Sequence, residues 1–220
     1  EYEAILSNYG VSISEGSDIN IESEWMGITA GDDLSGKVGP ITISDSRVTA
    51  NTYEASIYTM IGDISITGSE VSASSESSNC IFSQSELVVS QSEIDAIGHW
   101  PALRGATGLS VVGSDVLARS TNDVAIYSQA TVSIIDSNVD AISDVGSAIM
   151  GVESLKFEGD SKVSAQGAEG FNAVVGGSIS IVPQGVDVDI WVGADEQGAE
   201  KMEGAPFSEP FTVRRLITAT

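Results

Sequence analysis

Ile41-Thr-Ile-Ser-Asp-Ser-Arg-Val-Thr-Ala50 returns as Ile64-Ser-Ile-Thr-Gly-Ser-Glu-Val-Ser-Ala73, about 23 positions on. The aliphatic residues keep their places, a serine precedes the charged position in both copies, and an alanine closes each. Working outward, units open at Ile41, Ile64, Leu87, Leu109, Val132, Leu155 and Ile179. Two residues later stand Ile43, Ile66, Val89, Val111, Ile134, Phe157 and Ile181. A serine recurs at Ser46, Ser69, Ser92, Ser114, Ser137 and, one place late, Ser161. Val48, Val71, Ile94, Val116, Val139 and Val163 follow it, and Ala50, Ala73, Ala96, Ala118, Ala141 and Ala165 end the segment. After a variable loop each unit has a small residue and an aliphatic one: Ser56–Ile57, Cys80–Ile81, Ala102–Leu103, Ala125–Ile126, Ala148–Ile149 and Ala173–Val174. The same registers reach back through Ile28, Ile21, Ile19, Ile13 and Val11 to Ile5, with Ala30 to Pro40 as an insertion.

Each unit holds three short runs in which apolar residues alternate, the period of a strand and not of a helix. Turns rich in Ser, Gly, Asn and Asp join them. Three strands per repeat of this length predict an all-β, right-handed parallel β-helix with seven to eight coils and about 23 residues per coil. Coils stacked at ~4.8 Å place equivalent residues one above another and give a rod of roughly 35–40 Å. A sandwich or propeller fits less well, because a propeller blade needs about 40 residues and four strands. The aliphatic columns are then the dry interior, which one coil could not bury alone. The serine column is expected to bend the chain between two strands, its hydroxyls bonding each other or the backbone. Residues 1–182 are assigned to coils. Residues 183–220, where the register dissolves, are assigned to a C-terminal β cap that keeps the last edge from recruiting other chains. Glu1 falls in mid-coil, so upstream coils or another domain are expected, and no signal peptide is seen.

The 220 residues carry 32 acidic side chains against 9 basic ones and one histidine, a formal charge of −23. Such a surface repels nucleic acid and has few cations to displace its counterions. No apolar run approaches ~20 residues, so no membrane insertion is expected. A single cysteine, Cys80, rules out an internal disulfide, and its column of Ser, Ala and Gly marks it as a small packing residue.

Polysaccharide lyases and hydrolases of the pectin-lyase-like type share the expected architecture, and they are the alternative to a non-catalytic module. A lyase needs clustered acids and a basic residue to remove a proton. Here Asp32–Asp33 is the only adjacent Asp pair, with only Lys37 as a basic neighbour. His99 and Arg104 share a loop with Trp100, whereas Glu93 and Asp95 project from another strand. No catalytic residue is assigned, and no cofactor beyond weak binding of calcium.

Two outward columns are candidates for contact with a ligand. The residue after each small–aliphatic pair runs Leu6, Thr29, Tyr58, Phe82, Arg104, Tyr127, Met150 and Val175. Alternation sends it away from the core, giving an exposed aromatic strip with Arg104 between rings. Tyr58, Phe82, Arg104 and Tyr127, with Trp100 nearby, either stack on one another to shield backbone or present a surface for the apolar faces of sugar rings. The second column includes Glu70, Glu93 and Asp115 on successive coils, flanked by Arg47 and Lys162. Acids about 5 Å apart are either screened by solvent and salt or bridged by a cation such as calcium.

The repeat Ile41 to Ala50 and its copy Ile64 to Ala73 resemble repeats of large cell-surface proteins from Gram-positive gut bacteria, which read Ile-x-Ile-x-Gly-Gly-x-Val-x-Ala followed by Ala-Gly-Ile-Gly. Ile179-Ser-Ile-Val-Pro-Gln-Gly, Trp191-Val-Gly-Ala and Gly204-Ala-Pro-Phe are similar to the segments that close such arrays. This chain uses Ser where those repeats often have Gly-Gly. The resemblance covers nearly the whole chain and implies a β-helix of the carbohydrate-binding type, secreted or attached to a cell surface. The expected function is a stalk or adhesion module that touches extracellular or cell-wall glycans.

Overall fold

The computed structural model describes residues 3–32, 34–168, 171, 173–181, 187–192 and 212–217, with backbone alone for 181, 187–192 and 212–217. The described residues form strands and turns and no helix. They assemble into three parallel sheets of eight, eight and nine strands, each inner strand paired with its equivalents one coil before and one coil after. This is a parallel β-solenoid of about seven coils. Ile64 pairs with Ile41 and Leu87, and Leu87 with Leu109, so every column read from the repeat is a vertical row in space. The first coil is longer because the insertion after Ala30 separates Val11 from its partner Ile41.

The strand Glu93–Gly98 shows how sequence becomes packing: Ile94, Ala96 and Gly98 are buried while Glu93, Asp95 and Ile97 are exposed. Repetition of that alternation yields one continuous core running from Ile13 to Ile179. Phe157 takes a place held by Ile or Val in other coils and is still fully buried, the largest side chain in the interior. Removal of each such side chain from water stabilises by about 1.5–3 kcal/mol, and no coil has a second apolar face with which to do this alone.

The corner between the second and third sheets carries a relay of serines. Ser92 Oγ donates to the carbonyl of Ser90 at 2.7 Å and accepts the backbone N–H of Ser69 from the preceding coil at 3.1 Å. The same pair of bonds recurs at Ser69, Ser114, Ser137 and Ser161. The hydroxyls therefore bond backbone and not one another. Each N–H turned inward at the bend, where no strand ladder can reach it, finds its acceptor in the next coil's serine.

Immediately before these serines, or one residue earlier at Gly159, the backbone is left-handed, and the residues alternate in kind. Asp45, Gln91 and Asp136 have φ of 47°, 49° and 49°, whereas Gly68, Gly113 and Gly159 have 58°, 57° and 66°. A β-carbon on Gly68 would lie 2.7 Å from Asp45 Oδ1. Each long side chain thus leans over the glycine of the following coil, a rule that spans two repeats and not one.

At the C-terminal end, the alternating stretch at 186–192 includes the strand Asp187–Val192, which continues the third sheet in register: Val188 pairs with Val163 and Ile190 with Ala165. Thr212–Ile217 adds a further parallel strand beside it. The rest of the expected cap at 183–220 lies outside the described residues.

Candidate functional site

The first sheet is built from eight three-residue strands, and in five of them the middle residue is more exposed than the two beside it. Tyr58, Phe82, Arg104 and Tyr127 occupy that position on four successive coils, in direct register. Coil spacing of ~4.8 Å is close to the distance at which flat groups stack, so the column becomes one pile of rings and guanidinium. The Tyr58 and Phe82 rings are stacked with centroids 5.3 Å apart and 28° between planes. Arg104 Cζ lies 4.4 Å from the Phe82 centroid and 5.5 Å from that of Tyr127. Gln84 Nε2 donates to Tyr58 Oη at 3.3 Å and steadies the outer end of the pile.

Stacking changes what is exposed. Phe82 keeps only 8% of its surface, against the expectation of an open aromatic strip, because Tyr58 and Arg104 cover it from either side. Thr29, also expected to face outward, is fully buried, and its hydroxyl points to Met26 Sδ at 3.6 Å. Tyr58, Arg104 and Tyr127 are half-buried. What reaches solvent is the outer edge of the pile, with Phe82 as its support.

Arg104 differs from Arg47 and Arg119 of the third sheet. Arg47 pairs with Glu70 at 2.5 Å and Arg119 with Asp144 at 2.9 Å. The hydrogen bond and charge of Glu70 hold the Arg47 guanidinium above its ordinary range. Among the described residues the Arg104 guanidinium has no ion pair, and its Nε is buried with no hydrogen-bond partner.

Trp100 sits at the corner between the third and first sheets, half exposed, with the His99 ring edge-on at 5.9 Å. Both backbone N–H groups of this pair donate to the Ser78 carbonyl at 3.1 Å. Among the described residues its ring contact is with His99 and not with the strip. Gln84 escaped the sequence reading because it lies in the loop after the strand Ile81–Ser83, where no repeated column exists to flag it.

Glu70, Glu93 and Asp115 are in register on the third sheet and exposed. Arg47 takes the first, and Asn138 Nδ2 donates to Asp115 Oδ1 at 2.6 Å. Beside them a shallow groove of about 690 Å³ is lined by Glu93, Asp95, Asp115, Leu117, Asp140 and Lys162, among others. Among the described residues no group of three or more His, Cys, Asp and Glu is arranged to hold a metal ion. Asp32 forms a bridge with Lys37 and accepts hydrogen bonds from Ser35, which lower its carboxyl below the usual range; Asp33 lies outside the described residues. Cys80 is wholly buried, its thiol pushed up to about 12 by burial.

Compared with known protein families, with curated proteins and with solved structures, the chain finds no match in any of the three. Its class is given by its own geometry, a parallel β-solenoid with one aromatic and cationic pile on its first sheet.

Proposed function

We propose that this chain is a non-catalytic extracellular module, secreted or held at a cell surface, that acts as a stalk and adhesion element and touches glycans through the edge formed by Tyr58, Arg104 and Tyr127. The observation that carries this reading is the in-register pile itself, three rings and a guanidinium on four successive coils. The outer edge of this pile, held rigid by a sheet, offers apolar ring C–H surface to a sugar ring, and the tyrosine hydroxyls and Gln84 offer polar partners to sugar hydroxyls. The resemblance of the repeat to those of bacterial cell-surface proteins supports the location.

A glycan array probed with the wild-type chain and with Tyr58→Ala and Tyr127→Ala tests it. Loss of a stacking ring is expected to weaken binding about tenfold in each variant. Unchanged binding in both variants, or a wild-type chain that retains no glycan, ends the reading.

A further inference from the structure

Resting on the glycan-contact reading above, we infer that Arg104 is an oxyanion receptor, and that the preferred ligand is a saccharide carrying a carboxylate or sulfate group, held by the guanidinium directly and without a bridging metal ion. Three observations converge on this.

The first is the missing partner. With 32 acidic residues against 9 basic ones, a guanidinium in this chain has many carboxylates available to it. Arg47 and Arg119 each hold one, and Arg104 holds none among the described residues. Its Nε is already out of water and unbonded. Arg104 is thus held by its ring contacts and not by a polar partner among the described residues, which leaves the outer N–H groups of its fork uncommitted.

The second is the sorting of charge. None of the eight strands of the first sheet contains an Asp or a Glu. The third sheet carries Asp18, Glu22, Glu70, Glu93, Asp95, Asp115 and Asp140 along its strands. The strands of the sheet that bears Arg104 therefore contribute no acid of their own to the overall charge of −23. At physiological ionic strength charges beyond a Debye length of about 8 Å are largely screened. An anion arriving at the strip meets a cation with no acid on its own strand or on the other strands of that sheet.

The third is orientation. Phe82 lies 4.4 Å and Tyr127 5.5 Å from Arg104 Cζ, so the planar fork is held between two rings in one pose. A fork of that kind binds a carboxylate or sulfate with paired hydrogen bonds and little loss of side-chain freedom. A sugar ring resting on the tyrosine edges would bring an oxyanion substituent to the adjacent coil, within the ~4.8 Å step of the solenoid.

The test compares three probes of equal length in the presence of EDTA: an oligogalacturonate, its carboxyl-reduced neutral counterpart, and a sulfated neutral oligosaccharide. Dissociation constants are measured by calorimetry for the wild-type chain, Arg104→Gln and Arg104→Lys, with urea midpoints confirming that the variants fold. At least one acidic probe is expected to bind about tenfold or more tighter than the neutral one. Arg104→Gln is expected to erase that difference, and Arg104→Lys to keep only part of it because ammonium lacks the planar fork. Which acidic probe is preferred identifies carboxylate or sulfate as the source. Equal binding of acidic and neutral probes by the wild type overturns the inference while glycan contact stands. So does a preference that survives Arg104→Gln, or one that appears only when calcium replaces EDTA. Binding of none of the probes, with no glycan retained on the array, overturns both readings together.

Discussion

Replacing Ser92 with alanine removes one rung from the serine relay, and the structure says what that leaves behind. The carbonyl of Ser90 loses the Ser92 hydroxyl at 2.7 Å but keeps the N–H of Gly68 at 3.0 Å. The N–H of Ser69 has no such reserve: it pointed at Ser92 Oγ at 3.1 Å, and Ser69 is only 5% exposed. A stranded buried donor costs about 1–3 kcal/mol, so a destabilisation near the middle of that range, about 2 kcal/mol, is expected. Urea titration followed by far-ultraviolet circular dichroism and by tryptophan fluorescence measures it, and coincidence of the two curves checks that the solenoid unfolds as a unit. With m near the upper end of its usual range, about 2–3 kcal/mol per molar, the midpoint falls by about 1 M with m unchanged. Ser65→Ala, at an outward position of the second sheet, is the control and is expected within about 0.5 kcal/mol of the parent. Ser161→Ala should cost less than Ser92→Ala, because the N–H of Ser137 reaches Ser161 Oγ only at 3.4 Å. A Ser92→Ala midpoint that moves no further than that of Ser65→Ala refutes the relay as a source of stability.

The left-handed column and the buried thiol are open to the same measurement. Gly68→Ala places a β-carbon on a φ of 58° and 2.7 Å from Asp45 Oδ1, and about 1–2 kcal/mol of stability is expected to be lost. In an Asp45→Gly background the steric part disappears, so the double-mutant cycle should show at least about 0.5 kcal/mol of coupling; strict additivity contradicts the leaning-side-chain rule. Burial raises the Cys80 thiol from 9.0 to about 12, so the unfolded chain loses this proton first. The stability due to the neutral thiol is complete below about pH 9 and is lost as pH climbs toward the folded value. Relative to Cys80→Ala, the parent should therefore lose about 1.4 kcal/mol per pH unit in that window, and parallel pH profiles for the two proteins rule this out.

Much of this architecture can be read from residues 41–73 alone, because an apolar place recurring every coil has nowhere to go except against its copies. Ile43, Ile66, Val89 and Val111 make one buried row in space as they do on the page. Position in the repeat likewise brought Tyr58, Phe82, Arg104 and Tyr127 onto one column. The stretch at 186–192 shows the limit of that method: no repeated column leads into it, yet Asp187–Val192 pairs in register with Lys162–Gly167 of the third sheet.

The sequence by itself determined the period, the inward rows and the order of residues along each outward row, since all three follow from counting in a chain that must stack to bury anything. Only the tertiary structure decided which outward residues stay accessible and which charges are spoken for. Phe82 is hidden by neighbours that lie a whole coil away in sequence, Arg47 finds Glu70 across the same gap, and Arg104 finds rings and, among the described residues, no acid. Exposure and pairing depend on side-chain reach of a few ångströms between coils, a length that alternation along one strand does not encode.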